Sequence, residues 1–192
     1  ERCDVEGVED VGEIHEAKAY MIRQVFAPSD NTRTDTYVVC LKNCERLAIE
    51  ETTAVAEEIG AERTGIRFSP GTPLWGIDEG PEGPDLYRYL ITELDKLHLS
   101  YVHIMDQGNA ELLADIRKLW TGLLIVNRPG RPRDQIGQDV ATGAADMEAY
   151  GQMILANPDF VERIRTGAPL QEADRATFFG GTEKGYTDYP TL

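Results

Sequence analysis

Residues 101–127 read YVHIMDQGNAELLADIRKLWTGLLIVN, and this stretch decides the fold class. Its ends, Tyr101–Met105 and Leu123–Asn127, are short runs rich in aromatic, β-branched and aliphatic residues. Between them lies a longer amphipathic segment, Ala110–Leu119. Short β-rich runs alternating with longer amphipathic stretches mark βα units and a parallel sheet. The alternation continues in both directions. Upstream, residues 11–15 and Thr64–Phe68 predict two more strands, and downstream residues 147–150 predict a fifth, of weakest β propensity.

The segments between the strands predict helices. Over residues 39–59, Leu41, Cys44, Leu47, Ala48, Val55 and Ile59 lie near one stripe, and Gly60 is a plausible stop. A second helix is expected over residues 85–97, with Tyr89, Leu90, Leu94 and Leu97 on its buried side. Residues 27–36 read as a long polar loop, residues 69–84 as a loop rich in Gly and Pro, and Arg128-Pro129-Gly130-Arg131-Pro132-Arg133 as another loop. A short helix over residues 134–142 leads to the last strand. Residues 1–10 are read as irregular, and residues 168–192 as a C-terminal tail that wraps the domain. There is no internal repeat, low-complexity segment or clear domain boundary, so a single α/β domain of five βα units is expected: a partial barrel or a small open sheet.

The 192 residues suffice for one sizeable core but fall short of the roughly 250 typical of a complete eight-stranded α/β barrel. The formal charge of −15 repels phosphate backbones and anionic lipid, so nucleic acid and membrane partners are not expected. A small anionic cofactor stays open, because a few local donors outweigh a distant net charge. No apolar run approaches the roughly 20 residues of a membrane helix. Glu1-Arg2-Cys3-Asp4 lacks the basic start and apolar stretch of a signal peptide. Cys3, Cys40 and Cys44 form no zinc framework, and His15, His98 and His103 are scattered. The expectation is free thiols in a reducing cytoplasm and no metal.

In parallel α/β proteins, ligands bind beyond the C-terminal ends of the strands. That rule selects His15, Arg67, Asn127 and the pair Gly151-Gln152. His15 can donate a hydrogen bond to a carbonyl oxygen or an anion. Arg67 offers a planar charged fork that suits an electron-rich ring edge or a carboxylate. Gly151-Gln152 opens a short helix whose free N–H groups favour a phosphate. Singly, each has a structural reading too: a strand-end histidine packed for stability, or a buried arginine in an ion pair.

The order of several segments adds to this reading. Glu13-Ile14-His15 with Tyr20, then Asn31-Thr32-Arg33-Thr34-Asp35-Thr36-Tyr37, then Gly65-Ile66-Arg67-Phe68-Ser69-Pro70, then Leu155-Ala156-Asn157-Pro158-Asp159, and last Gly185-Tyr186-Thr187-Asp188-Tyr189-Pro190, together resemble the old yellow enzyme family. The resemblance runs from about Val11 onward. It implies part of an eight-stranded (β/α)8 barrel that binds FMN non-covalently, the five strands being similar to the fourth to eighth. It also implies an ene-reductase activity, in which NADH or NADPH reduces the flavin and the flavin reduces an activated alkene. His15 and Lys18 then match the two donors to the substrate's carbonyl oxygen, and Tyr20 the proton donor to the α-carbon. Arg67 matches the arginine at the flavin's pyrimidine edge. Asn127, Arg128 and Gly130, with Gly151 and Gln152, match the flavin phosphate site, and Tyr186 an aromatic residue at the substrate mouth.

The departures are equally specific. Lys18 stands where His or Asn is usual, Ala19 where glycine is, and Gln152 where the phosphate-gripping arginine is. Pro129 removes an N–H from the phosphate loop, leaving Arg128 as the candidate replacement charge. Glu16 is a candidate partner for Lys18, and Val38-Val39-Cys40 replaces a Gly-Gly-Ser. Two readings follow. One is part of an FMN-dependent ene-reductase, acting as a homo-oligomer or with a partner chain that supplies the first three strands. The other is a barrel fragment that self-associates and binds no flavin. Five strands of a closed barrel leave sheet edges and an inner face to be covered.

Overall fold

The computed structural model describes residues 11–17, 21–28, 30–37, 44–73, 76–180 and 182–192. Among them are five strands, β1 (Gly12–His15), β2 (Thr64–Phe68), β3 (Tyr101–Met105), β4 (Leu123–Asn127) and β5 (Met147–Ala149). They form one sheet in the order β1-β2-β3-β4-β5, and β1 to β4 pair in parallel. The expected α/β architecture stands. Val11 and Tyr150 fall just outside the first and last strands.

Side chains alternate between the faces of a strand. Ile66, Phe68, Val102, Ile104, Leu124 and Val126 point to one face and are buried there. Against that face lie α1 (Met21–Phe26), α2 (Cys44–Ile59), α3 (Gly83–Asp95) and α4 (Ala110–Leu119), which share its apolar cluster. The N-terminal cap of α4 is Asn109, whose side chain accepts from the Leu112 N–H at 3.1 Å. Tyr87 of α3 meets Phe26 and Phe68 edge-on, with ring centroids 6.1 and 5.9 Å away. Each such ring contributes about 1.5–3 kcal/mol by leaving water.

Three expectations need correction. The inward stripe of α2 is Glu45, Ala48 and Thr52, whereas Ile59 is exposed and Leu47 and Val55 are only half-buried. Thr52 is admitted because its hydroxyl donates to the Ala48 carbonyl at 2.6 Å, so no polar group is left unmet. On α3, Tyr89 and Leu97 are half-buried, and Leu86, Tyr87 and Ile91 join Leu90 and Leu94 inside. The helix expected over residues 134–142 is split by Gly137 at φ 83° into a 3-10 turn, Arg133–Gln135, and α5 (Gln138–Thr142). Residues 1–148 and residues 149–192 each form a compact unit.

The second unit has its own stitching. It contains α6 (Gln152–Leu155) and α7 (Phe160–Thr166), the latter ended by Gly167 at φ 73°. Asn157, fully buried, donates to the carbonyls of Met153 and Gln171 and accepts from the Gln171 N–H. The tail therefore folds onto α6 through one amide. No helix among the described residues is long and apolar enough to cross a membrane.

Candidate functional site

The other face of the sheet is the polar one. Register puts His15, Arg67, His103 and Ile125 in one row across β1 to β4, and Glu13, Gly65, Tyr101 and Leu123 in the row behind it. Two predicted residues, His15 and Arg67, are therefore neighbours on adjacent strand ends. The pairing is carried one residue further, where the Glu16 N–H donates to the Arg67 carbonyl at 3.0 Å.

Glu13, Tyr101 and His103 are residues that sequence reasoning missed. The Glu13 carboxylate accepts from the Tyr101 hydroxyl at 3.1 Å, and the same oxygen lies 3.0 Å from His103 Nδ1. Gly65 makes this reach possible: a Cβ there would sit 2.2 Å from the Tyr101 ring. Burial alone would raise the Glu13 carboxyl, but His103, Tyr101 and the Arg67 charge together hold it below its ordinary value. Burial, and next the Glu13 charge, push Tyr101 up to about 12, so it stays a donor. The period-2 spacing of Glu13 with His15 and of Tyr101 with His103 was the available signal. What it lacked was the register that joins the two strands' rows through Gly65.

Arg67 is half-buried, and burial draws its guanidinium below its ordinary value despite the opposing pull of Glu13. Among the described residues its buried Nε has no hydrogen-bond partner, and neither has the buried Nε2 of His103. A buried polar atom left unmet costs about 1–3 kcal/mol, so two on neighbouring strands fit a ligand edge. A flavin ring edge suits this face chemically.

The phosphate end differs. Asn127 ends β4 half-buried on the polar face, and Gly130 turns at φ 74°. Arg128 lies on the opposite side of the strand from Asn127, by alternation. It donates through Nε and Nη2 to Asp139 at 2.8 and 3.0 Å, and through Nη1 to Asp106. Arg131 joins the same cluster, bonding Asp139 and, at 2.6 Å, Glu148. Hydrogen bonding to Asp139 raises the Arg128 guanidinium above its ordinary value. Two arginines against three carboxylates leave this cluster with a net charge of −1. Arg128 thus ties the ends of β3 and β4 to α5, and its charge is already matched, which does not fit the role of a phosphate grip.

In the second unit, Gly151 is the N-cap of the single turn α6, and both it and Gln152 are exposed. Tyr186 is 44% exposed, with its hydroxyl donating to the Phe178 carbonyl at 2.6 Å. Lys18 and Tyr20 lie outside the described residues, as do Ala19, Cys3 and residues 38–40. Glu16 is buried at 1% exposure and both its oxygens lack a hydrogen-bond partner; its expected mate Lys18 is outside the described residues.

Known proteins bring these observations together. Residues 2–171 match the NADH:flavin oxidoreductase / NADH oxidase family. The putative 12-oxophytodienoate reductase 10 of Oryza sativa subsp. japonica is 39% identical, over 100% of this chain and 64% of its own length. The 12-oxophytodienoate reductase 2 of Arabidopsis thaliana is 36% identical, over 94% of this chain and 50% of its own length. Among solved structures, morphinone reductase in complex with tetrahydroNAD superposes with a TM-score of 0.88 at 38% identity, covering 95% of this chain and 50% of that one. The old yellow enzyme homologue from Zymomonas mobilis gives 0.86 at 30% identity, covering 95% and 54%. The chain thus spans between half and 64% of the length of these relatives, and its five βα units are part of a (β/α)8 barrel. It belongs to the NADH:flavin oxidoreductase / NADH oxidase family, the old yellow enzyme group of flavoproteins.

Proposed function

We propose that this chain forms part of an FMN-dependent NAD(P)H oxidoreductase that reduces activated alkenes. The observation that carries the reading is the pairing of His15 with Arg67 at neighbouring strand ends, beside two buried, unmet nitrogen atoms. FMN, when bound, supplies the hydride-carrying ring, with NADH or NADPH as its reductant. Arg67 then faces the pyrimidine edge with a positive charge that favours the reduced, anionic ring. His15 donates to the substrate's carbonyl oxygen, where negative charge grows as the alkene is reduced. In this reading Lys18 is the second donor and Tyr20 delivers the proton to the α-carbon, while Tyr186 lines the substrate's approach. Asn127 and Gly130 are left to meet the cofactor's tail by neutral hydrogen bonds.

A barrel fragment that self-associates without flavin is the second reading, favoured by the neutralised Arg128. The visible absorption spectrum of the purified chain, with and without added FMN, separates the two. A bound flavin band near 1:1 supports the first reading. A chain that stays colourless after FMN is added overturns it and leaves the second.

A further inference from the structure

We propose that Arg23 and Glu79 are positioning residues for proton delivery: they tie α1 to the connection between β2 and α3. The proposal rests on the ene-reductase reading, in which Tyr20 supplies the proton to the α-carbon, and it adds to that step a pair that acts through α1.

α1 begins at Met21, the residue after Tyr20 in the sequence. What fixes α1 therefore bears on the proton donor that precedes it. A helix of six residues is too short to hold its place by its own hydrogen bonds. Ile22 and Phe26 seat it on the core, but apolar contact has no preferred direction. Arg23 supplies the direction. Its Nε donates to Glu79 Oε1 at 2.6 Å, and its Nη2 to the Thr72 carbonyl at 2.7 Å. Glu79 also accepts from the Gly71 N–H at 2.8 Å and from the Tyr87 hydroxyl at 2.9 Å. One carboxylate thus joins α1, α3 and the chain just past the end of β2. The two side chains are buried, at 1% and 4% exposure. A buried ion pair returns little net stability, because both charges have left water; what it adds is a fixed angle between the segments that it joins. Packing does not supply that angle here. Glu79 lines a cavity of about 490 Å³, shared with Pro70, Tyr87 and Asn109, and a second of about 330 Å³, shared with Pro73 and Ile77. Space on both sides leaves few neighbours to hold the connection in place. Gly76 and Gly80, at φ 75° and 71°, bracket Glu79 and give the backbone room to turn. The hydrogen bonds of Arg23 and Glu79 therefore set where the connection lies against α1.

Two measurements test this on the full chain. The first reads the tie itself and needs no flavin. Amide hydrogen exchange, followed by NMR, compares the unaltered chain with Arg23→Met, an unbranched side chain without donors. The Gly71 amide, which Glu79 holds, and the amides of α1 should exchange about tenfold faster in the variant, while those of β3 stay unchanged. Exchange at Gly71 that does not change, or that rises equally in β3, overturns the tie. The second measurement is stopped-flow kinetics of the FMN-loaded chain. Glu79→Gln should slow the reduction of 2-cyclohexenone, an activated alkene, by about tenfold or more, because proton transfer falls steeply as the donor shifts. Flavin reduction by NADH and reoxidation by ferricyanide need no proton at carbon and should stay within about twofold. Ile116→Ala, which loosens the core on α4 and leaves the pair intact, should slow none of the three by more than about twofold. Should Glu79→Gln fail to fold, Arg23→Lys keeps the charge, loses the planar fork and should show the same split. Equal loss in all three reactions, an alkene rate that does not change, or one that falls alike in Ile116→Ala overturns the positioning role and leaves the enzyme reading standing. An unaltered chain that takes up no FMN, or reduces no alkene once loaded, overturns that reading and the positioning role with it.

Discussion

Replacing Glu16 by glutamine should stabilise this protein at neutral pH and remove much of its pH dependence. Glu16 follows β1, is 1% exposed, and among the described residues has no hydrogen-bond partner on either oxygen. Burial, with the neighbouring Glu51 charge second, pushes its carboxyl up to about 9 from 4.5. The unfolded chain releases the proton above pH 4.5, while the folded chain holds it until about pH 9. The contribution to stability is therefore fully present below 4.5 and is lost as pH rises to about 9. Each pH unit in that window costs about 1.4 kcal/mol, so Glu16 weakens the fold by about 3 kcal/mol at pH 7. That is a large fraction of the roughly 5–15 kcal/mol that holds a domain together. A glutamine amide has the shape of the neutral acid and no proton to lose. Urea unfolding at pH 5, 7 and 8.5, followed by circular dichroism, measures the difference. Glu16→Gln should exceed the unaltered chain by about 3 kcal/mol at pH 7, with the gap closing toward pH 4.5. Glu45, also buried and without a hydrogen-bond partner for its carboxylate oxygens among the described residues, is pushed up to about 7 by burial and adds a slope of the same sign between pH 4.5 and 7, which the variant keeps. A gap that does not change with pH, or an unaltered chain that grows more stable from pH 5 to 8.5, would refute the reasoning.

Three further outcomes are expected. Arg23 and Glu79 form a buried ion pair at 2.6 Å, and Glu79 also accepts from the Tyr87 hydroxyl and the Gly71 N–H. Glu79→Ala removes the carboxylate that balances this buried guanidinium and should cost about 3–5 kcal/mol in urea unfolding, whereas a loss below 1 kcal/mol would mean that the remaining hydrogen bonds of Arg23, such as the one to the Thr72 carbonyl, suffice to hold it. Gly65→Ala drives a methyl group into the Tyr101 ring and should cost about 1–3 kcal/mol while breaking the Tyr101–Glu13 bond, visible as a fall in the Tyr101 pKa from its raised value on ultraviolet titration. Arg128→Ala should cost about 1–3 kcal/mol, because Asp106 and Asp139 lose a partner, yet change FMN affinity less than threefold. A tenfold loss of FMN affinity would restore Arg128 as a phosphate ligand.

The strands were legible in the sequence because the sheet is buried on its helix side. Ile66, Phe68, Val102, Ile104, Leu124 and Val126 are all buried, so β2, β3 and β4 each carry apolar residues at alternate positions, a period of two that marks a strand. The helices were less legible where polar residues were taken inside. Hydropathy places Glu45 and Thr52 outward, but Thr52 satisfies its own hydroxyl and Glu45 stays inside, its carboxyl raised by burial. α1 and α7, of six and seven residues, are too short to show a helical period, and the first of them supplies Arg23 to the core ion pair.

The candidate site was half legible for a related reason. A strand-end rule needs only one strand at a time, and it picked out His15 and Arg67, which the register sets side by side. The Glu13–Tyr101–His103 cluster depends on two strands separated by β2, and on the absence of a side chain at Gly65 between them. Arg128 shows the opposite failure. Its place after β4 fitted a phosphate loop, but strand alternation turns it to the helix side, where Asp106 and Asp139 claim it. The family's chemistry therefore concentrates at the ring end of the site, where charge and unmet hydrogen bonds agree. At the tail end the Arg128 charge is already matched by Asp106 and Asp139, so it is not left to grip a phosphate.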